Sequence, residues 1–142
     1  MYEIAIVIVL VLVCAWIYYQ WVLTPLSRRR KLWTDHTLWM KLLMDSVLAN
    51  SGATQANAQK LSQITKDIGI TDHSRDFVMA VRQHTPDAWN MWKNKMPAGV
   101  TTYSDTWPRQ ADAYRAKDWT TNTKEFDRAM DLAIAIADKP VY

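Results

Sequence analysis

The sequence predicts an all-α protein in which a single N-terminal transmembrane helix is followed by a bundle of four or five helices. Three observations favour this fold class. Residues Ile4 to Leu23 carry no charged side chain. In the rest of the chain apolar residues recur every three or four positions, and no alternating run of strand length follows residue 31. We divide the chain into residues 1–27 (anchor and junction), 28–31 (basic membrane flank) and 32–142 (helical domain).

The apolar segment has the length and composition of a membrane span. At about 1.5 Å per residue it would extend about 30 Å, the thickness of a hydrocarbon core, and a lone segment in lipid must be helical. A secretory signal would have a basic start and small residues near its end, whereas Glu3 precedes this segment and bulky aromatic residues end it. Cys14, the single cysteine, lies inside the segment, so an intrachain disulfide is excluded.

Aromatic and basic residues flank the span and are predicted to lie at the membrane interface. The basic block that follows the span places the C-terminal domain on the cytoplasmic side and Met1 on the other. We interpret the block mainly as this topology signal, and keep a specific site for anionic lipid as the alternative. The predicted interface residues are Tyr2, Trp16, Tyr18, Tyr19, Trp21, Arg28, Arg29, Arg30 and Lys31.

The charge of the chain is concentrated in this flank. The net charge is +3, and the four basic residues at 28–31 together with Glu3 account for all of it, so residues 32–142 are neutral. A nucleic-acid surface would need basic residues clustered on the domain itself. We therefore expect no nucleic-acid partner.

Helix start and stop signals divide the domain. A first helix is predicted over residues 32–50 and a second over 54–68, with Gly69 as its C-cap. Asp72 is expected to cap a third helix that ends near His84. Thr85 and the proline after it then begin a fourth, which stops at Pro97.

Prolines and loops complete the predicted pattern. Residues 98–105 are predicted to form a loop, and a last helical stretch begins near Trp107 and ends before Pro140. Between the span and the domain, Pro25 predicts a bend or a helix restart in the short junction from Thr24 to Ser27.

A set of landmark residues resembles a known family. The landmarks are Leu32-Trp33-x-x-His36-x-x-Trp39, Ser46, Asp67-Ile68-Gly69, Asp118-Trp119 followed by Phe126-Asp127, and Ala137-Asp138. They resemble an uncharacterised family of small helical-bundle proteins of bacteria and large DNA viruses. The segment between Gly69 and Trp119 is shorter than in that family, and Phe126 replaces a tyrosine. The resemblance implies a helical bundle whose core and landmark residues are Trp33, His36, Trp39, Gly69, Trp119 and Phe126.

His36 is the best single candidate for a reactive side chain. It shares a helix face with Trp33 and Trp39, but His73 and His84 lie in other helices without ligand spacing. We expect a buried histidine that is hydrogen-bonded across the bundle. No catalytic, cofactor-binding or metal-binding residue and no cofactor are predicted.

These observations lead to three hypotheses for function. The first is a non-enzymatic structural protein that links a membrane to a protein assembly, with the bilayer and other proteins as partners and no small-molecule substrate. The viral branch of the resemblance implies a minor capsid protein in the internal membrane of a large DNA virus, with its domain facing the capsid. The second is a single-pass accessory subunit of an organellar or bacterial membrane enzyme complex. The third is a ligand- or metal-binding bundle that uses His36.

Overall fold

One uninterrupted helix runs through the first third of the chain. The computed structural model describes residues 2–139, and all regular structure in that range is helical. The long helix consists of α1 (Tyr2–Tyr18), a π-helical turn (Tyr19–Leu23) and α2 (Thr24–Leu48). The expected helix restart at Pro25 is therefore wrong, because the junction itself is helical.

The π-helical turn explains how the helix passes Pro25. A proline has no N–H for the carbonyl of Trp21, and its ring would clash with that carbonyl in a regular α-helix. The wider turn avoids this clash: both the backbone N–H and the hydroxyl of Thr24 donate to the carbonyl of Tyr19, five residues back. The backbone absorbs the proline within one turn and the helix continues.

Six shorter helices follow α2 in the chain. Four of these six helices pack against α2, namely the first, second, fifth and sixth after it in the chain, so α2 is the central helix of the domain. The described part of the domain has seven helical segments, one of them a single turn, where four or five were predicted. The six that follow α2 are α3 (Thr54–Ile68), α4 (Ser74–Gln83), α5 (Pro86–Lys93), α6 (Thr101–Ser104), α7 (Thr106–Arg115) and α8 (Trp119–Ala137).

Several boundary predictions are confirmed by the local geometry. Gly69 ends α3 in the left-handed conformation, with φ 88°. The Asp72 carboxylate accepts the backbone N–H of Ser74 at 3.0 Å at the start of α4. The Thr85 hydroxyl accepts the backbone N–H of Ala88 at 3.2 Å at the start of α5.

Two predictions in the second half of the domain are wrong. The expected loop over residues 98–105 contains α6. The expected last helical stretch is divided into α7 and α8, because Lys117 adopts a left-handed φ of 56° and Asp118 caps the new helix by accepting the N–H of Thr121. α8 ends at Ala137, while Met1 and residues 140–142 lie outside the described residues.

Aromatic rings make up much of the core. The Phe77 ring on α4 lies 5.2 Å from Trp92 on α5 and 5.7 Å from Trp107 on α7, measured between centroids. All three side chains are fully buried. The Phe77–Trp107 pair is edge-to-face and the Phe77–Trp92 pair is tilted, and the large buried area of such rings stabilises a small domain. They join the short helices α4, α5 and α7 to one another.

Candidate functional site

The helix that precedes the domain is uncovered. No residue of α1 or of the π-helical turn is buried, and this includes Cys14 and the aromatic residues predicted at the interface. By length and composition this long N-terminal helix is a candidate membrane span. Among the predicted interface residues, Tyr2 lies at one end of the apolar segment and Trp21 at the other. An exposed apolar surface of this length is typical of a segment that contacts a membrane or another protein.

The four basic residues after the apolar segment are divided between two environments. Arg29 donates from Nε to the carbonyl oxygen of Ala137 at 3.0 Å. Arg30 makes two parallel hydrogen bonds to the carboxylate of Asp138, at 2.6 and 2.9 Å. These two arginines therefore hold the C-terminal end of α8 against the start of α2, a role that sequence reasoning did not assign to them.

The charges at this contact support one another. The carbonyl end of a helix carries partial negative charge, and Asp138 adds a full one. The hydrogen bond from Arg30 lowers the pKa of Asp138, and the same bond raises the pKa of the Arg30 guanidinium. The contact is exposed, so its effect is mainly to orient α8.

His36 lies at the centre of a buried hydrogen-bond chain. Its Nε2 is 2.9 Å from Nε2 of His73, and its Nδ1 is 3.0 Å from the phenol oxygen of Tyr103. Nδ1 of His73 is 3.1 Å from the indole Nε1 of Trp92. His36 and His73 are both fully buried, so the expectation of a buried histidine bonded across the bundle is confirmed.

The indole of Trp92 fixes the direction of the hydrogen bonds from Trp92 through His73 and His36 to Tyr103. An indole N–H can only donate, so Nδ1 of His73 must accept and the proton of neutral His73 must lie on Nε2. That proton is donated to Nε2 of His36, which leaves the His36 proton on Nδ1 for the oxygen of Tyr103. One donor thus fixes the tautomers of both histidines.

The chain ends on the backbone of α2. The hydroxyl oxygens of Tyr103 and Thr37 are 3.0 Å apart, and the Thr37 hydroxyl donates to the carbonyl of Trp33 at 2.8 Å. Because the single Thr37 hydroxyl proton goes to that carbonyl, Tyr103 is the donor to Thr37, and its hydroxyl also lies 3.6 Å from the sulfur of Met40. The complete chain joins α5, the residue before α4, α2 and α6 through side chains that are all buried.

Burial sets the protonation of this chain. Desolvation lowers the pKa of His36 well below its usual value, and the neighbouring His73 adds to the effect. Desolvation also lowers the pKa of His73 to about 4, although the carboxylates of Asp72 and Asp76 oppose it. Burial raises the pKa of the Tyr103 phenol. All three groups are neutral near neutral pH.

The chain does not have the features of a metal centre. A histidine that binds a metal through Nε2 needs a proton on Nδ1 to donate to a second partner. Nδ1 of His73 instead faces a donor, the indole N–H of Trp92, and cannot carry that proton. Within residues 2–139 no group of three or more His, Cys, Asp or Glu side chains is placed to hold a metal ion.

A second histidine contact lies near the surface and was missed from the sequence. His84 ends α4 with a left-handed φ of 51°, and its Nε2 lies 2.5 Å from the carboxylate of Asp112 on α7. Its Nδ1 accepts the indole N–H of Trp89 at 3.1 Å. Since both ring nitrogens are engaged, this histidine links three helices and offers no free base.

The landmark residues are found in different environments. Trp33 is buried, Trp39 and Phe126 are partly buried against the core, and the Lys60 ammonium lies 5.9 Å from the centre of the Trp39 ring. Trp119 was predicted in the core but is 54% exposed. Trp119 is the first residue of α8, and its ring contacts the ring of Tyr114 edge-on.

Comparison of the chain with protein-family models, curated proteins and solved structures finds no match in any of the three.

Proposed function

We propose that this chain is a non-enzymatic, single-pass membrane protein whose helical domain is held against the cytoplasmic face of the bilayer as part of a larger protein assembly. The anchor determines where the domain lies, and the surface of the domain contacts the rest of the assembly.

The observation that carries this proposal is the continuity of the helix from Tyr2 to Leu48. Its first half has no buried residue, whereas its second half is the central helix of the domain. A tethered, freely moving domain would have a flexible linker at this place. A helix shared by span and core couples the orientation of the domain to that of the span.

The contacts of Arg29 and Arg30 with the end of α8 support the same conclusion. They close the domain at its membrane-proximal end, about one to two turns beyond the apolar segment. The positive charge at this end favours the cytoplasmic side by the positive-inside rule. The orientation of the chain follows from this rule.

Within this class, the resemblance to viral helical-bundle proteins favours a minor capsid or internal-membrane protein of a large DNA virus. In such a virion the cytoplasmic leaflet faces the capsid, so the domain would occupy the space between membrane and shell. The uncovered apolar helix is equally compatible with a single-pass accessory subunit of a membrane enzyme complex, packed against other spans.

Extraction and protease protection test the anchor and its orientation. We expect the protein to stay in membranes washed at alkaline pH, and protease added to the cytoplasmic side to digest the domain. The intact mass of the membrane-bound protein should include α1. Release by the alkaline wash, digestion only from the opposite side, or a mass that lacks the apolar segment would contradict the proposal.

Cross-linking in intact membranes or virions distinguishes the two kinds of assembly. A lysine-reactive reagent should join the domain to capsid proteins if the viral function is correct, and to subunits of one enzyme complex if the alternative is correct. Purified virions that lack the protein would exclude the viral function.

A further inference from the structure

Arg28 and Lys31, the other two residues of the basic block, line a cleft beside the end of the apolar segment. Arg28 and Lys31 do not share the contacts of Arg29 and Arg30 with α8. They line a cleft of about 380 Å³ at the point where the apolar segment ends. The cleft is lined by Tyr19, Leu23, Thr24, Ser27, Arg28 and Lys31.

We propose that this cleft binds the phosphate of an anionic lipid headgroup, with Arg28 and Lys31 as the cationic ligands and the Ser27 hydroxyl as a neutral donor. The proposal rests on the proposed membrane span, because the span is what places the cleft at headgroup depth.

Helix geometry brings the ligands together. Residues 24, 27, 28 and 31 follow a three-four spacing, so their side chains share one face of α2. Side chains on a helix tilt toward its N-terminus. Here the N-terminal direction leads to the apolar segment, so the Arg28 side chain can lean back toward the membrane, whereas the Lys31 ammonium reaches one turn the other way to Asp35.

The charges of this face are available to an anion. Within residues 2–139 the Arg28 guanidinium has no hydrogen-bond or ion-pair partner among protein groups. Lys31 pairs with Asp35 one turn further from the span, but its side chain is 74% exposed. An exposed pair of this kind is weak, so Lys31 can exchange it for a phosphate.

The π-helical turn contributes to the shape of the cleft. It places Tyr19 and Leu23 at the membrane side of the same cleft. An aromatic and an aliphatic side chain at that position suit the glycerol and first acyl carbons of a phospholipid. The lining therefore changes from apolar to cationic along the direction in which a lipid changes from chain to headgroup.

The matched variants are Arg28→Gln/Lys31→Gln and Arg29→Gln/Arg30→Gln, which remove the same charge from different faces. Each is reconstituted at full length in phosphatidylcholine vesicles with a trace of spin-labelled phosphatidic acid or spin-labelled phosphatidylcholine. For the native chain we expect phosphatidic acid to be preferred about five- to tenfold. The first variant should lose most of this preference and the second should keep it.

Equal losses in the two variants would overturn the proposal, because they would indicate attraction by net charge alone. Ser27→Ala provides a test that changes no charge: we expect a two- to threefold smaller preference, and an unchanged one contradicts a defined cleft. Inorganic phosphate should compete no better than chloride at matched ionic strength. Stronger competition would assign the cleft to soluble phosphate and overturn the lipid assignment.

The anchor is checked in the same samples. Every variant should remain in the vesicles after an alkaline wash. A protein that is washed out refutes the proposed membrane span, whereas a protein that stays in but shows no lipid preference refutes only the headgroup site.

Discussion

Nε2 of His36 lies 2.9 Å from Nε2 of His73, and only one proton can lie between them. Protonating both nitrogens would bring two N–H groups into opposition inside a dry core. The contact joins α2, which is continuous with the apolar helix, to the start of α4. The packing of the domain around α2 therefore depends on both histidines remaining neutral.

The first prediction concerns the donor that fixes this chain. Trp92→Phe removes the N–H that bonds to His73 and leaves a fully buried nitrogen without a partner. We expect the free energy of unfolding to fall by about 2–4 kcal/mol, part of it from lost ring volume. Urea denaturation followed by circular dichroism measures this change.

Trp89→Phe is the matched control for Trp92→Phe. It removes the same atoms and the same kind of bond, here to His84, whose side chain is 23% exposed. Water can replace the lost donor there, so we expect the smaller loss of the two. A Trp89→Phe loss that equals or exceeds the Trp92→Phe loss would contradict the importance of the buried chain.

The second prediction concerns pH. In the unfolded chain both histidines have a pKa of about 6.5, whereas in the folded domain burial holds the pKa of His73 at about 4 and lowers that of His36. Below about pH 6.5 the unfolded state binds protons that the folded state does not, so stability falls as pH decreases. His73 alone should account for a loss on the order of 3 kcal/mol by pH 4.

Denaturation between pH 7 and pH 4 measures this dependence, and His36→Gln is the comparison. Glutamine can accept from His73 and donate to Tyr103, but it does not titrate. We expect the stability of the variant to fall less steeply with decreasing pH than that of the native chain. The two slopes should differ by up to about 1.4 kcal/mol per pH unit in the range where His36 binds a proton only in the unfolded state. Identical slopes in the two proteins would show that His36 does not titrate differently on folding.

The third prediction concerns the end of α8. Asp138→Asn keeps the shape of the side chain but removes the charge that pairs with Arg30. We expect faster amide exchange in the last turn of α8, from Ile134 to Ala137, with little change in the unfolding midpoint, because the contact is exposed. Hydrogen–deuterium exchange with mass spectrometry measures the exchange rate of this turn, and thermal denaturation measures the midpoint.

The control for Asp138→Asn is Asp127→Asn, which removes a charge from an exposed position in the same helix. Exchange near Ala137 should not respond to it. An equal response to both substitutions would attribute the effect to net charge, and the specific contact with Arg30 would be refuted.

The fourth prediction concerns Pro25 and the π-helical turn. Pro25→Ala restores the missing N–H and removes the ring clash, so we expect this turn to return to α-helix. The backbone bonds would then span four residues where they now span five, and this change rotates α1 by about 100° relative to the domain. Spin labels on the native Cys14 and on Lys124→Cys should report a distance change on the order of 5–10 Å.

Pro108→Ala, far from the π-helical turn, should leave the same distance unchanged. If Pro25→Ala also leaves it unchanged, the proline is not the cause of the turn.

Local signals predicted much of this fold. The left-handed Gly69 ends α3, and the Thr85 cap begins α5, because both depend on residues that are adjacent in sequence. The break before α8 had a local signal as well: Asp118 is a strong N-cap, but the apolar pattern on either side of it predicted one stretch. No local signal predicted that the helix would continue through Pro25, because the way a helix accommodates a proline depends on the whole backbone around it.

Composition and helical spacing are enough to predict the helical class, the apolar segment, the neutrality of the domain and the burial of His36. The packed domain was needed to show that His73 is the partner of His36 and that Trp92 sets both tautomers. It was also needed to show that Arg28 and Lys31 line a cleft while Arg29 and Arg30 hold α8. Those relationships join residues up to 108 positions apart. Helix packing brings them together, and no periodic pattern in the sequence records which faces meet.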